Sequence, residues 1–532
     1  MLRFIRNATM TILLGALAAA HNPAAAQTSG GVLRIYHRDN PPSASIHEEA
    51  TISTAQPFSP VFNNLIMFNQ HSERNSPDDL TAELATEWSW NDDNTRLTFK
   101  LRGGVRWHDG KPFTSADVKC TWDTVAGRRN AGWRKSPRRG WYTNLKEVVT
   151  NGEHEVTFVL GRPQPAFVSF LASGLSPVYP CHVDGRVMRQ APIGTGPFRM
   201  AEFRPNASIR LVRNPDYWKP ERPYLDGIEY RIIRSRSTRA LAFVAGEFDM
   251  TFPYELSSAL VRDVQSQAPR AQCVMQTSNV ATQLLINRDI APFDNPLVRR
   301  ALALSIDRQA FIDIISEGKA VVGGVMLPPP NGRWGLTPED LADVPGYGRD
   351  VERNRQEARE IMRGLGYNAE RPLRIKVATR EIPSYRDPAI IMVDHLKSIF
   401  IEAQLDILDT SVWYSTMGRR SFTIAVNQAG MGIDEPDVPF YEGYACGSER
   451  NYENYCNRDI ELKVEEQSAM VDPAERRRLV REIDLAIQRD IARPILYHSM
   501  GGTCHFPQVR NVTTAVNSIY NTWRMEDAWL ER

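Results

Sequence analysis

The sequence predicts an α/β protein built from more than one packed unit, on three observations. Its 532 residues exceed what one hydrophobic core usually organises, and a hydrophobic content of 42% is ample for two or three. Its first half is rich in runs that alternate polar and apolar side chains, as half-buried strands do. Its second half turns to helical periodicity with capped ends, and a strand followed directly by a helix there points to a partly parallel sheet.

Taken in order, the elements begin with "MLRFIRNATMTILLGALAAAHNPAAAQ". Arg3 and Arg6 precede an apolar run from Met10 to Ala20, and Ala24-Ala25-Ala26 follows as a small-residue cut site, so residues 1–26 read as a secretory signal. The run falls short of the roughly 20 residues that span a bilayer. The two arginines are not adjacent, which disfavours twin-arginine export. No cysteine lies near the cut, the first being Cys120, so a lipid anchor has no acceptor there. A soluble periplasmic product is expected. The runs "LTFKLR" (97–102), "HEVTFVL" (154–160), "SIRLVRN" (208–214) and "LDGIEYRII" (225–233) predict strands. In "DNPLVRRALALSID", Asn295 is a helix cap with Pro296 at the first helical position. In "DPAERRRLVREIDLAIQRD", Asp472 caps, Pro473 follows and Glu475 stands where a capping box places it. Between these helices, "RPLRIKVAT" (371–379) reads as a strand leading into a helix over "AIIMVDHLKSIFIEA" (389–403). The breaker-rich "GGVMLPPPNGRWG" (323–335) reads as a surface loop.

Removing residues 1–26 takes away two positive charges and no acid, moving the formal charge from +1 to −1. With no basic block, the chain offers no electrostatic footprint for nucleic acid. Six cysteines occur, and in an oxidising compartment Cys446 and Cys456, which bracket the polar loop "CGSERNYENYC", are expected to form a disulfide. Cys120, Cys181, Cys273 and Cys504 are too scattered for a metal pattern and read as small buried hydrophobes.

Enzyme signatures fail one after another. "HEEAT" from His47 ends in Thr51 where a zincin needs its second histidine. "GLSPV" around Ser176 lacks the second glycine of a nucleophile elbow. "VRWHDGKP" starts on Val105 and places Pro112 after Lys111, so no phosphate cradle forms. "SEGK" (316–319) has no companion motif, and Gly318 reads as a helix stop. "GTGPF" (194–198) has Arg199 at the third glycine position and a strand after it. In "VRWHDGKPFTSADV", Asp109-Gly110 makes a turn and Thr114 with Asp117 caps a helix, so the reading there is strand, turn and helix, with His108 beside a surface turn.

Taken together, "LATEWSWNDDNTRLTFKLRGGVRWHDGKPFTSADV", "IGTGPFRM", "VRNPDYWKPERPYLDGIEY", "AGEFDM", "NPLVRRALALSIDRQAFI" and "YCNRDIELKVEEQSAMVDPAERRRLVREID" resemble the successive blocks of extracytoplasmic solute-binding proteins of the peptide and nickel class, which serve ATP-binding-cassette importers. The blocks come in family order and cover about residues 75 to 500. The resemblance implies a bilobed periplasmic binding protein of type II, cluster C-like, with an extra subdomain inserted in lobe I. Mapped by similarity, lobe I comprises 27–59, 193–283 and 500–532, the inserted subdomain 60–192, and lobe II 284–499. It implies a ligand held between the lobes, permease subunits at the inner membrane as partners, a monomer, no cofactor and no catalysis.

In peptide-binding relatives an aspartate in a G-W-x-x-D-Y-P-D-P-like stretch pairs with the ligand's ammonium group, since a buried cation needs a partner charge. By similarity Asp434 in "GMGIDEPDVPF" (430–440) takes that place, flanked by Glu435 and Asp437. Met431, Glu435 and Val438 depart from the pattern and put peptide specificity in doubt; the alternative is that Asp434 and Asp437 order a turn around Pro436. The loop "DNPPSASIHEEATIS", which follows a lobe I strand, offers His47, Glu48 and Glu49 as contacts for a cationic or amine-bearing ligand, the alternative being a solvated loop. Trp413 and Tyr414 are candidates to stack on a ligand or to join the core. Peptides are the first cargo expected; opines, nickel chelates, haem and oligosaccharides belong to the same class, and ten scattered histidines argue against bare metal. A periplasmic signalling or chaperone-like role is the remaining alternative.

Overall fold

A computed structural model describes residues 27–129 and 132–532. The signal reading of residues 1–26 lies outside the described residues. The chain opens with β1 (Val32–His37), then forms a short antiparallel pair from β2 (Ile66–Phe68) and β3 (Leu80–Ala82). Next comes an antiparallel sheet of β4 (Ala85–Trp90), β5 (Arg96–Leu101), β6 (Leu145–Thr150) and β7 (Glu155–Leu160), in the order β4-β5-β7-β6. Alternation sets its buried face: Leu97, Phe99 and Leu101 point inward from β5, and Val118, Trp122 and Val125 of the helix Ser115–Val125 cover the layer. The chain then returns through β8 (Phe198–Arg204), β9 (Ser208–Arg213) and β10 (Gly227–Ile232), giving the order β1-β10-β9-β8 with β1 parallel to β10.

The second lobe is a mixed sheet of β11 (Gln272–Ile286), β12 (Leu373–Arg380), β13 (Ile401–Leu408), β14 (Ile424–Gly430) and β15 (Ile495–His505), in the order β13-β12-β14-β11-β15. β12 runs parallel to both β13 and β14, and the helix Pro383–Lys397 makes the crossover from β12 to β13. The helix therefore starts earlier than "AIIMVDHLKSIFIEA" suggests. Phe400 sits at φ 64°, and residues 401–403 belong to β13.

β11 and β15 join the lobes. Near Ile286 β11 pairs with β14 inside the second lobe, whereas near Gln272 it pairs with the far end of β15, which bridges Met250 and Leu256 of the first lobe. Between these halves the register shifts, from Thr277 to Ala281.

The cysteine expectation is corrected for four residues. Cys446–Cys456 is bonded as expected, but Cys120–Cys181 and Cys273–Cys504 are disulfides too. Cys273 and Cys504 are direct cross-strand partners on β11 and β15, a relationship set by register over 231 residues of separation and invisible locally.

His108 stands beside the exposed turn Asp109-Gly110, as expected, but is itself half-buried. Its Nε2 lies 3.0 Å from the Gly196 carbonyl oxygen, and the Gly194 N–H donates to Nδ1 at 3.3 Å. Burial pushes its pKa down to about 4, so the ring is neutral. A side chain at Gly194 or Gly196 would strike the backbone of Pro60 to Phe62. Two runs that mimic catalytic motifs thus brace one another as scaffold.

Candidate ligand-binding site

A cavity of about 440 Å³ lies between the two lobes, within the usual size range for small-ligand sites. It opens at the carboxyl ends of β1, β12 and β14, the edge at which parallel α/β sheets place ligands. The first lobe contributes Arg38 just past β1, Thr51 and Ile52 at the start of the helix Ile52–Phe58, and the segment Tyr254 to Ser257. The second contributes Tyr385 from the crossover helix, Tyr414, and Gln428 near the end of β14, while Tyr520 comes from the C-terminal tail. The walls therefore carry both apolar and hydrogen-bonding surface.

Behind this wall a buried polar cluster ties the lobes together. Arg380, at the end of β12, donates from Nη2 to Asp39 Oδ2 at 3.0 Å and from Nη1 to the Tyr385 hydroxyl at 2.9 Å. Thr410 also donates to Asp39, at 2.8 Å. Burial works to raise the Asp39 carboxyl, but Arg380, His37 and Arg38 outweigh it and hold it below its ordinary value. At the rim, Arg234 pairs with Glu381 at 3.1 Å and Asp409 at 2.9 Å, and Arg236 with Asp387 at 3.2 Å. All three pairings cross from one lobe to the other.

None of Asp434, Glu435, Asp437, Trp413, His47, Glu48 and Glu49 lines this cavity. His47, Glu48 and Glu49 are neither solvated nor open to the cavity, although the same loop lines it at Ala50, Thr51 and Ile52, because Arg134, Arg138 and Arg189 pack over them. Glu48 pairs with Arg189 at 2.7 Å, and Glu49 accepts from Ser43 at 2.7 Å and from Arg134 at 3.3 Å. Arg138 donates to the Glu49 carbonyl at 2.9 Å. Burial lifts the Glu49 carboxyl to about 7 and, with Arg138 beside it, drives His47 down to about 3; His47 Nε2 sits 2.7 Å from the Pro177 carbonyl.

The acidic turn has its own partners. Glu435 and Asp437 share Arg476, and Asp437 also accepts from Gln164 at 2.8 Å and Ser468 at 2.6 Å. Asp434 takes the Arg333 N–H at 3.1 Å on Oδ2, while Oδ1 is buried with no partner among the described residues. Burial raises this carboxyl to about 6. Trp413 is core, packed with Met417 and Phe422, and the adjacent Tyr414 faces the cavity instead. Sequence reasoning missed Arg38, Tyr254, Tyr385, Gln428 and Tyr520. The one usable signal was position, since Arg38, Arg380 and Gln428 all stand at strand carboxyl ends.

Residues 79–451 match the family model of bacterial extracellular solute-binding proteins, family 5 (middle region). The chain is 25% identical to di/tripeptide-binding protein 1 of Pseudomonas aeruginosa, over 97% of this chain and 98% of the relative. Among solved structures, the periplasmic binding protein DppA of Helicobacter pylori, in complex with the peptide STSA, superimposes with a TM-score of 0.83 at 21% identity, covering 95% of this chain and 99% of that one. OppA of Haemophilus influenzae, in complex with RPPGFSPFR, does so with a TM-score of 0.84 at 17% identity and the same coverage.

Proposed function

Because the chain belongs to the bacterial extracellular solute-binding proteins of family 5, we propose that it is a periplasmic receptor which captures a short peptide or similar small solute between its lobes and hands it to an ABC-type import permease. The observation that carries this reading is the interlobe cavity of about 440 Å³, walled by both lobes and bridged by the Arg236–Asp387 ion pair that crosses between them. Such a device needs differential affinity for the closed state and no bond-breaking chemistry, so the reading assigns no catalytic residue. The likeness to a di/tripeptide-binding protein supports a short peptide as the first cargo to test.

In this reading residues 1–26 are cleaved on export and the mature protein works as a monomer. Lobe I spans 27–59, 193–283 and 500–532, the inserted subdomain 60–192, and lobe II 284–499. The partition of the strands into separate sheets supports that division, with β11 and β15 crossing the lobe boundaries. No helix among the described residues is long and apolar enough to cross a membrane.

The test is thermal melting of the protein without residues 1–26, unfolded and refolded without reductant to release bound solute, against di- to octapeptides, opines, nickel–histidine, haem and oligosaccharides. A cargo at 100 times its dissociation constant stabilises by about 2.7 kcal/mol. A shift with di- or tripeptides supports the reading. A shift with a non-peptide solute alone overturns the peptide cargo, and no shift with any of the panel overturns the receptor reading.

A further inference from the structure

Four charged side chains line the cavity: Arg38, Arg236, Glu255 and Asp387. Three are already neutralised. Arg236 and Asp387 pair with each other at 3.2 Å. Glu255 receives a two-pronged hydrogen bond from Arg239, Nε to Oε1 at 2.9 Å and Nη2 to Oε2 at 2.8 Å. Arg38 is different. Its side chain is only 9% exposed, yet its guanidinium donates no hydrogen bond to any described residue, and its Nε is buried without a partner.

The nearest carboxylate, Asp39, is an ion-pair neighbour but accepts no hydrogen bond from it. Asp39 Oδ1 stands 4.0 Å from the Arg38 Nε, beyond hydrogen-bond reach, and is taken by Ser53. Asp39 Oδ2 is taken by Arg380 and Thr410. With Asp39 and Arg380 cancelling, the group keeps one positive charge, on a residue that lines the cavity and stacks its guanidinium 5.1 Å from the Phe252 ring centre. A buried guanidinium N–H with no partner, here the Nε–H of Arg38, is costly unless something fills it, and the planar fork that carries it matches a carboxylate.

We infer that Arg38 is the anchor for a carboxylate of the bound solute, so that the receptor selects anionic or zwitterionic ligands over their neutral counterparts. The inference rests on the receptor reading above and adds the charge class of its cargo. It also reverses the polarity expected from the acidic residues in the sequence. No unpaired carboxylate lines the cavity among the described residues, so the wall as built offers a site for a negative group and none for an isolated cation.

The experiment is isothermal titration of alanyl-leucine, its C-terminal amide, its N-acetyl acid, an opine acid and a neutral oligosaccharide into wild type, Arg38→Gln and Arg38→Lys. Wild type is expected to bind each acid about tenfold or more tightly than the matched amide. Arg38→Gln is expected to shrink that gap to about threefold or less, with Arg38→Lys intermediate because it keeps the charge and loses the fork. The acid–amide comparison in wild type needs no variant to fold. If the opine acid binds in an Arg38-dependent way and no peptide does, the peptide cargo fails and the carboxylate anchor stands. If acid and amide bind wild type alike, if the gap survives in Arg38→Gln, or if the oligosaccharide alone binds, the anchor is overturned while the receptor reading stands.

Discussion

Asp39 and Arg380, 341 residues apart in the chain, meet at 3.0 Å behind the ligand cavity and join the carboxyl end of β1 in one lobe to that of β12 in the other. The Arg380 side chain is fully buried and the Asp39 carboxylate nearly so. A pair so placed holds the lobes together only while both charges are present.

Removing one partner therefore leaves an uncompensated buried charge. Arg380→Gln or Asp39→Asn is expected to cost about 3–5 kcal/mol of stability and to weaken ligand binding through faster release. The double variant should recover part of that loss, and a double-mutant cycle in urea measures the coupling. Strictly additive single effects would show that the pair does not act as a latch.

Asp434→Asn separates the fold's demand from the ligand's. Burial raises this carboxyl to about 6, above its unfolded value, so the stability linked to it is complete below about pH 4 and is lost as pH rises through 6. The asparagine variant does not titrate, so its stability relative to wild type should climb by about 3 kcal/mol between pH 4 and pH 8. Urea melts of the unliganded proteins at both ends of that range read this directly. A peptide-induced shift that vanishes in the variant would place the ligand's ammonium group at Asp434.

His108→Gln tests the scaffold role of the "VRWHDGKPF" run. The histidine is neutral with its pKa pushed down to about 4, so its contribution is full above about 6.5 and declines as the pH falls toward 4. The variant should lose about 1–3 kcal/mol at pH 7, lose less than wild type does on acidification, and bind ligand with unchanged affinity. A tenfold affinity change without a lower melting temperature would contradict this.

The disulfides should rank by the chain length they close. Replacing Cys273 and Cys504 together by serine is expected to cost about 2–5 kcal/mol, and replacing Cys446 and Cys456, only 10 residues apart, less. Urea midpoints of the two variants decide the order.

Much of the frame was legible because it is written locally. The alternation of Leu97, Phe99 and Leu101, the caps at Asn295 and Asp472, and the loop between Cys446 and Cys456 each state their structure within a few residues. The cavity is written nowhere locally. Arg38 and Asp39 are neighbours of opposite charge, yet one is left without a hydrogen-bond partner among the described residues and the other is paired with Arg380 from the other lobe, which only the fold decides. Charge density misled for the same reason. Glu48, Glu49, Glu435 and Asp437 form dense acidic clusters, and packing supplies each with an arginine or a hydroxyl before any ligand arrives. Trp413 was the more conspicuous aromatic, but helix rotation turns it inward and gives the cavity to Tyr414.

The β11–β15 ribbon constrains how two lobes joined by it can move. Its strands are riveted by Cys273–Cys504 on the first lobe's side and change register between Thr277 and Ala281. Slippage by one residue would have to break the rivet and turn every side chain to the opposite face, so bending is left as the soft motion and the irregular stretch as its place. The ribbon is a leaf spring clamped at one end. Lobes that swing on such a spring would not slide, and each stroke would bring the same residues of one jaw back opposite the same residues of the other.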